Sequence, residues 1–249
     1  MRGSTFSGAV ATALVVLGCL APAIAGADGK VRTQVRVVTH EGRIVADRFI
    51  ATGSTEVPTS ARATCFGGSP TDGSRLVEGA TALGALADLS RKVEALRPML
   101  VTNAFDFGLG LCSVGDSAPS GEEWWALKVN GVASSTGGDT TFIEDGDDVL
   151  WFMAATWTAP LREELRLSAP LRPGGRGLVR VQVEKAAADG RSSPLAGVRV
   201  FAGRSLAGTT NRRGRLAIRP PQGSGRVLRL VARLGGYIPS NRAVVRLGR

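Results

Sequence analysis

Apolar and polar positions alternate with period two over several short stretches, and turn-forming residues separate them. From Val31 to Val38, Val31, Thr33, Val35 and Val37 fall on one face and Arg32, Gln34 and Arg36 on the other, the pattern of a half-buried strand. His40-Glu41-Gly42-Arg43 supplies a turn, and Ile44 to Ala51 returns as the partner strand. Trp124 to Val129 alternates again, setting Trp125, Leu127 and Val129 against Trp124, Ala126 and Lys128. Asn130-Gly131 follows, and both residues tolerate the positive φ that a tight hairpin turn requires. Val149 to Ala155 is apolar on both faces, as suits a central strand covered on both sides. One stretch has helical spacing: Leu83, Leu86, Leu89, Val93 and Leu96 recur along one side, with Thr81 to cap the start and Pro98 to stop it. The spacing predicts a helix lying across the sheet.

Beyond Trp157 the pattern changes. Pro160, Pro170, Pro173 and several glycines mark 158–176 as a linker, within which Leu161 to Leu167 fits a short strand or a helical turn. Strands then recur at short spacing: Leu178 to Lys185, Gly197 to Ala202, Arg215 to Arg219, Val227 to Arg233 and Ala243 to Leu247. One apolar face per strand implies a two-layer sandwich. The expected fold is β-rich with one main helix: an α+β domain over 31–157, the linker, and an all-β sandwich domain over 177–249. The 33 glycines and the 5% aromatic content favour such loop-rich modules over a large helical core.

The first 27 residues read as a signal peptide, with Arg2, an apolar core from Gly8 to Leu20, and small-x-small cleavage patterns at Ala23-Ile24-Ala25 and Ala25-Gly26-Ala27. Pro22 interrupts the apolar run and no second long one follows, so no membrane span is expected. The expected location is secreted or extracellular. Val16-Leu17-Gly18-Cys19 looks like a loose lipobox, which makes lipid anchoring through Cys19 the alternative. Cleavage leaves Cys65 and Cys112, and an even pair in an exported chain reads as one disulfide. A metal-bound or reactive thiol pair finds no nearby histidine or second cysteine pair to support it.

The net charge of +10 over 249 residues hides an asymmetry. Val31 to Trp157 carries 10 Lys and Arg against 16 Asp and Glu, whereas Thr158 to Arg249 carries 19 against 4. The basic half raises nucleic acid as a partner. Against this, only Phe201 and Tyr237 are aromatic beyond Trp157, so a stacking platform is missing, and export removes most nucleic acid. Arginines on strand faces are then either solvated or bind an anionic cell-wall polymer, a glycan or a membrane surface.

Parts for catalysis are few. His40 is the single histidine and sits in a turn. Gly115-Asp116-Ser117-Ala118-Pro119 lacks the glycines and the His–Asp context of a serine nucleophile. Glu122/Glu123 and Glu144-Asp145-Gly146-Asp147-Asp148 pair carboxylates; the second run could gather oxygens around calcium, but its spacing is not that of an EF-hand loop. Gly108-Leu109-Gly110 lacks the third glycine of a nucleotide loop. No enzyme activity, no metal site and no obligatory cofactor are expected.

All four tryptophans lie between 124 and 157. Large aromatics fill the cores of small β domains, yet Trp124 and Trp125 point in opposite directions along a strand and cannot share one core. The candidate ligand residues are Trp124, Trp125, Asn130 and Trp151, with the Gly-rich loop near Cys112 as a second candidate surface.

Trp124-Trp125-x-x-x-Val129-Asn130-Gly131, then Gly137-Gly138, then Glu144-Asp145-Gly146-Asp147-Asp148-Val149-Leu150-Trp151 resembles a bacterial domain family similar to the C-terminal domain of transcobalamin, over about Val31 to Trp157. The resemblance implies a small β-grasp-like module carried on secreted or surface proteins. It also introduces cobalamin or another corrinoid as a ligand, because in transcobalamin the similar domain forms one half of the vitamin pocket. The helical half is absent from this chain, so a corrinoid would need a separate partner. Pro194 to Val200, Gly208 to Leu216 and Gly236-Tyr237 resemble the carboxypeptidase-regulatory-like, prealbumin-like β-sandwich family, with Asn211 and Arg213 where acidic residues are more usual. The function expected is that of a secreted or cell-surface, non-enzymatic ligand-binding or adhesion protein, holding a small molecule, an anionic wall polymer or a glycan. The alternatives are a corrinoid-binding module and an accessory protein of an extracellular hydrolase.

Overall fold

The computed structural model describes residues 29–174, 177–220 and 225–247; the signal segment, with Cys19, lies outside the described residues. The first unit contains β1 (Val31–Val38), β2 (Ile44–Thr52), β3 (Thr55–Thr59), β4 (Gly73–Val77), α1 (Ala82–Lys92), β5 (Met99–Phe105), β6 (Gly108–Val114), β7 (Trp124–Val129), β8 (Val132–Ala133) and β9 (Asp148–Ala154). The second contains β10 (Glu164–Ser168), β11 (Val179–Ala186), β12 (Ser192–Pro194), β13 (Arg199–Ala202), β14 (Ser205–Thr209), β15 (Arg215–Ile218), β16 (Val227–Arg233) and β17 (Ala243–Arg246). Among the described residues, no helix is long and apolar enough to cross a membrane.

The main sheet of the first unit has the order β2-β1-β9-β7-β8. Its central pair, β1 and β9, is parallel, and the flanking pairs β1/β2 and β7/β9 are antiparallel. Parallel neighbours need a long crossover, and here the chain between β2 and β7, with α1 in it, provides one. This is the β-grasp arrangement. Thr81 caps α1 by accepting a hydrogen bond from Gly84 N at 3.1 Å. The helix ends at Lys92, earlier than the leucine spacing predicts, and Leu96 reaches the core from a following 3-10 turn. Leu83, Leu86 and Leu89 pack with Val35, Val37, Trp125, Leu127, Val149 and Trp151. These are the residues the period-two pattern assigns to one face.

In the second unit, the sheet β10-β11-β12, joined by β15 on β11, faces the sheet β14-β13-β16-β17. Leu165, Val181, Val183, Val200, Leu230 and Ala232 fill the space between them, so the described residues are β-rich, with a sandwich and one α-helix. The Thr210 to Gly214 turn is locally wired. Thr210 Oγ1 accepts from Val198 N at 3.0 Å and donates to Leu195 O at 2.7 Å. Gly214 has φ 69°, and a Cβ there would lie 2.4 Å from Val183 O, so only glycine fits.

Of the segment 158–176, expected as a linker, the described residues 158–174 instead contain β10, which pairs with β11. The physical reason is a third apolar cluster. Val38, Ile44, Ala126, Leu150, Phe152 and Ala154, on the sheet face opposite α1, are covered by Ile238, with Leu161 and Val231 packed alongside. That cover also buries two cations on what β1 and β7 present as polar faces, Arg36 and Lys128, both at 0% exposure. Arg36 donates to Glu164 Oε2 at 2.9 Å and to Pro239 O at 2.6 Å. Lys128 Nζ donates to Arg162 O at 2.9 Å and lies 5.5 Å from the centre of the Phe152 ring. At the sheet edge, Asp47 accepts from Gln34 Nε2 at 2.6 Å and from the backbone N–H of Arg242 in the second unit.

Burial pulls the Lys128 ammonium below the ordinary lysine value, the nearby Glu164 carboxylate opposing part of that shift. Between the lowered folded value and the ordinary unfolded one, the folded state binds fewer protons than the unfolded state, so this group makes stability rise with pH across that alkaline window. Lys128→Met is expected to remove that rise, read as the difference between variant and parent in urea midpoints measured from neutral pH into the lysine range.

Candidate ligand-binding surface

The structure separates the four candidate residues. Trp125 and Trp151 are buried against α1 and offer no surface to a ligand. Trp151 Nε1 donates to Ala82 O at 3.3 Å, and a Cβ at Gly138 would come within 2.5 Å of its ring, so Gly138 makes room for the indole. Asn130 holds the hairpin turn. It has φ 53°, its Nδ2 donates to Asp147 Oδ1 at 2.7 Å, and its Oδ1 accepts from Asp148 N at 3.0 Å. Of the three tryptophans, only Trp124 reaches the surface.

Trp124 begins a row of five aromatic rings. Its Nε1 donates to Thr156 O at 3.2 Å, and its face stacks on Trp157 with centroids 4.1 Å apart and planes 10° from parallel. Trp157 meets Phe66 edge-on at 5.9 Å, Phe66 tilts against Phe105 at 5.5 Å, and Phe105 stacks on Phe107 at 4.8 Å. These spacings are those of favourable aromatic pairs. Trp157 is 56% exposed, Phe66 36% and Phe107 83%, so the row lies open to solvent.

Three separate loops build the row, and two devices hold it. Cys65 and Cys112 form a disulfide with Cα atoms 5.4 Å apart, which ties the loop bearing Phe66 to β6. Gly110 on β6 supplies the floor: a Cβ there would lie 2.9 Å from the Phe105 ring and 3.0 Å from the Phe66 ring. Beside the stacked tryptophans, Thr156 Oγ1 donates to Glu122 Oε2 at 2.6 Å and lies 3.2 Å from the Thr158 hydroxyl. Flat apolar faces therefore adjoin hydroxyl and carboxylate groups.

Phe66, Phe105, Phe107 and Trp157 are absent from the sequence-based candidates because they sit in turns, loops and strand ends, where no periodicity marks them. The available clue was phenylalanine recurring in glycine-rich segments beside both cysteines.

Elsewhere the acids and the histidine serve local structure. His40 Nδ1 lies 2.8 Å from Glu123 Oε1, while Ser120 Oγ donates to Glu123 Oε2 at 2.9 Å. The carboxylate thus holds both groups. Hydrogen bonding from the Ser120 backbone N–H keeps the Glu123 carboxyl below its ordinary value. Asp145 Oδ1 accepts from Arg32 N at 2.8 Å and Asp147 Oδ2 from Glu144 N at 2.7 Å, so both act as turn acceptors. Among the described residues, no group of three or more His, Cys, Asp or Glu side chains converges as a metal site would. No family model and no curated protein matches the chain.

Proposed function

We propose that this is an exported, non-enzymatic adhesion protein that holds a glycan on the five-ring row. The observation that carries this reading is the solvent-exposed, disulfide-supported row from Trp124 through Trp157, Phe66 and Phe105 to Phe107. Contiguous exposed apolar surface of this kind marks an interaction site. A pyranose has one apolar C–H face and a rim of hydroxyls. Stacked rings suit the face, and Glu122, Thr156 and Thr158 suit the rim. A row, unlike a single ring, suits an extended chain of sugars. The disulfide fits an oxidising compartment, in keeping with the signal segment read in the sequence.

The test uses the exposed Trp157 as its own reporter. Titration with soluble oligosaccharides of glucose, N-acetylglucosamine and mannose is expected to change tryptophan fluorescence saturably with at least one of them. Trp157→Ala is expected to weaken that affinity about tenfold, the equivalent of one good aromatic contact. Fluorescence quenching by cobalamin with no response to any sugar would replace this reading with the corrinoid one. Turnover of a sugar, peptide or ester would overturn the non-enzymatic part.

A further inference from the structure

A concavity of about 680 Å³ opens at the seam where the β1–β2 turn of the first unit faces the outer side of β13 and β16. Its volume falls within the range of small-ligand sites, about 300–1,000 Å³, and it shares no lining residue with the ring row. Arg199 and Arg233 stand directly opposite each other on the antiparallel β13/β16 pair, on the face that also carries Phe201. Like charges placed in this way destabilise a sheet. Among the described residues, neither arginine makes an ion pair. Arg199 lies 5.1 Å from the centre of the Phe201 ring, and Arg233 Nη1 donates to Gly42 O at 3.4 Å.

Arg162 adds a third guanidinium to the lining, anchored by donating to His40 O at 3.2 Å and Met153 O at 3.0 Å. The one carboxylate in the lining, Glu41, is held by the Thr39 hydroxyl at 2.6 Å. Cationic groups therefore outnumber acids three to one before His40 is considered.

We propose that this cleft binds a phosphate group borne on a sugar. Two guanidinium groups carried by cross-strand partners on one sheet face call for a ligand with more than one charge and with several acceptors. A phosphate monoester carries about −1.5 to −2 charges at neutral pH and three acceptor oxygens, whereas a planar carboxylate satisfies one fork. Phe201 and Tyr237 in the lining give the sugar ring apolar contact. The phosphate arises either as a monoester on a small sugar or, at one charge per phosphate, as two successive diesters of a sugar-bearing wall polymer, one for each arginine. The site stands independently of the ring row and of whether that row holds a glycan.

Calorimetric titration of the mature protein separates these sources, using inorganic phosphate, glucose 1-phosphate, unphosphorylated glucose and a glucosylated glycerol-phosphate oligomer, each at low and high salt. Saturable binding of the phosphate compounds, with tighter binding of the sugar phosphate or of the oligomer identifying the source, is expected. Arg199→Gln with Arg233→Gln should weaken it about tenfold or more without lowering the melting temperature. Arg212→Gln with Arg213→Gln removes the same charge from an exposed turn and should leave it within about twofold. Trp157→Ala should also leave it unchanged. Equal losses in both arginine pairs, or the absence of saturable phosphate binding at low salt, would overturn the proposal.

Discussion

Glu164→Ala is expected to lower the unfolding free energy by about 3–5 kcal/mol, the range for removing one partner of a buried ion pair. Glu164 is fully buried and bridges to Arg36, which also takes Pro239 O. Alanine would leave the Arg36 and Lys128 cations enclosed beside Phe152 and Leu150 with only the partly exposed Asp148 carboxylate, 3.5 Å from Arg36, as a countercharge. The loss stems from this uncompensated charge and not from a large intrinsic worth of the pair. Arg36→Met combined with Glu164→Leu should therefore recover most of it. Urea unfolding followed by tryptophan fluorescence and by far-UV circular dichroism checks both variants. Because the third apolar cluster joins the units, the two probes should trace one coincident transition in the parent protein. A loss below about 1 kcal/mol would show that the seam admits water to these charges.

Removal of the disulfide has the next largest effect. The bridge spans 47 residues, and closing a loop of that length is worth about 4 kcal/mol in the chain-entropy model. Cys65→Ser with Cys112→Ser should lower the melting temperature accordingly, and reductant should do the same to the parent protein but not to the variant. The change also frees the loop carrying Phe66, the ring that joins the tryptophan pair to the phenylalanine pair. Ligand affinity on the row should fall together with stability, whereas phosphate binding at the seam should follow stability alone.

What the chain revealed before its structure follows from how local the determinants are. Strand β1, the tryptophan strand β7, the two-faced β9 and the Thr81-capped helix all follow from spacing within a few residues. The sandwich strands β11, β13, β15, β16 and β17 follow for the same reason. The alternation places Arg36 and Lys128 on the faces opposite Val35 and Leu127, but a period-two pattern tells which side a residue faces and not what lies there. Their burial depends on Ile238 and Glu164, more than thirty residues away from either. Strand β14 was missed because Ser205 to Thr209 has little apolar content and pairs only through its partner's register. The tryptophan cluster pointed to the right neighbourhood, but three of its four members serve burial or a stacked support. The exposed partners came from loops that the disulfide and Gly110 bring together.

The parallel pairing of β1 with β9 has a mechanical consequence. A tether pulling ahead of Val31 and a load leaving after Ala154 act at opposite ends of that pair. Tension must then shear several rungs at once, because neither strand can peel away one rung at a time. An adhesion module of the kind proposed would then carry tension in shear and not in peeling.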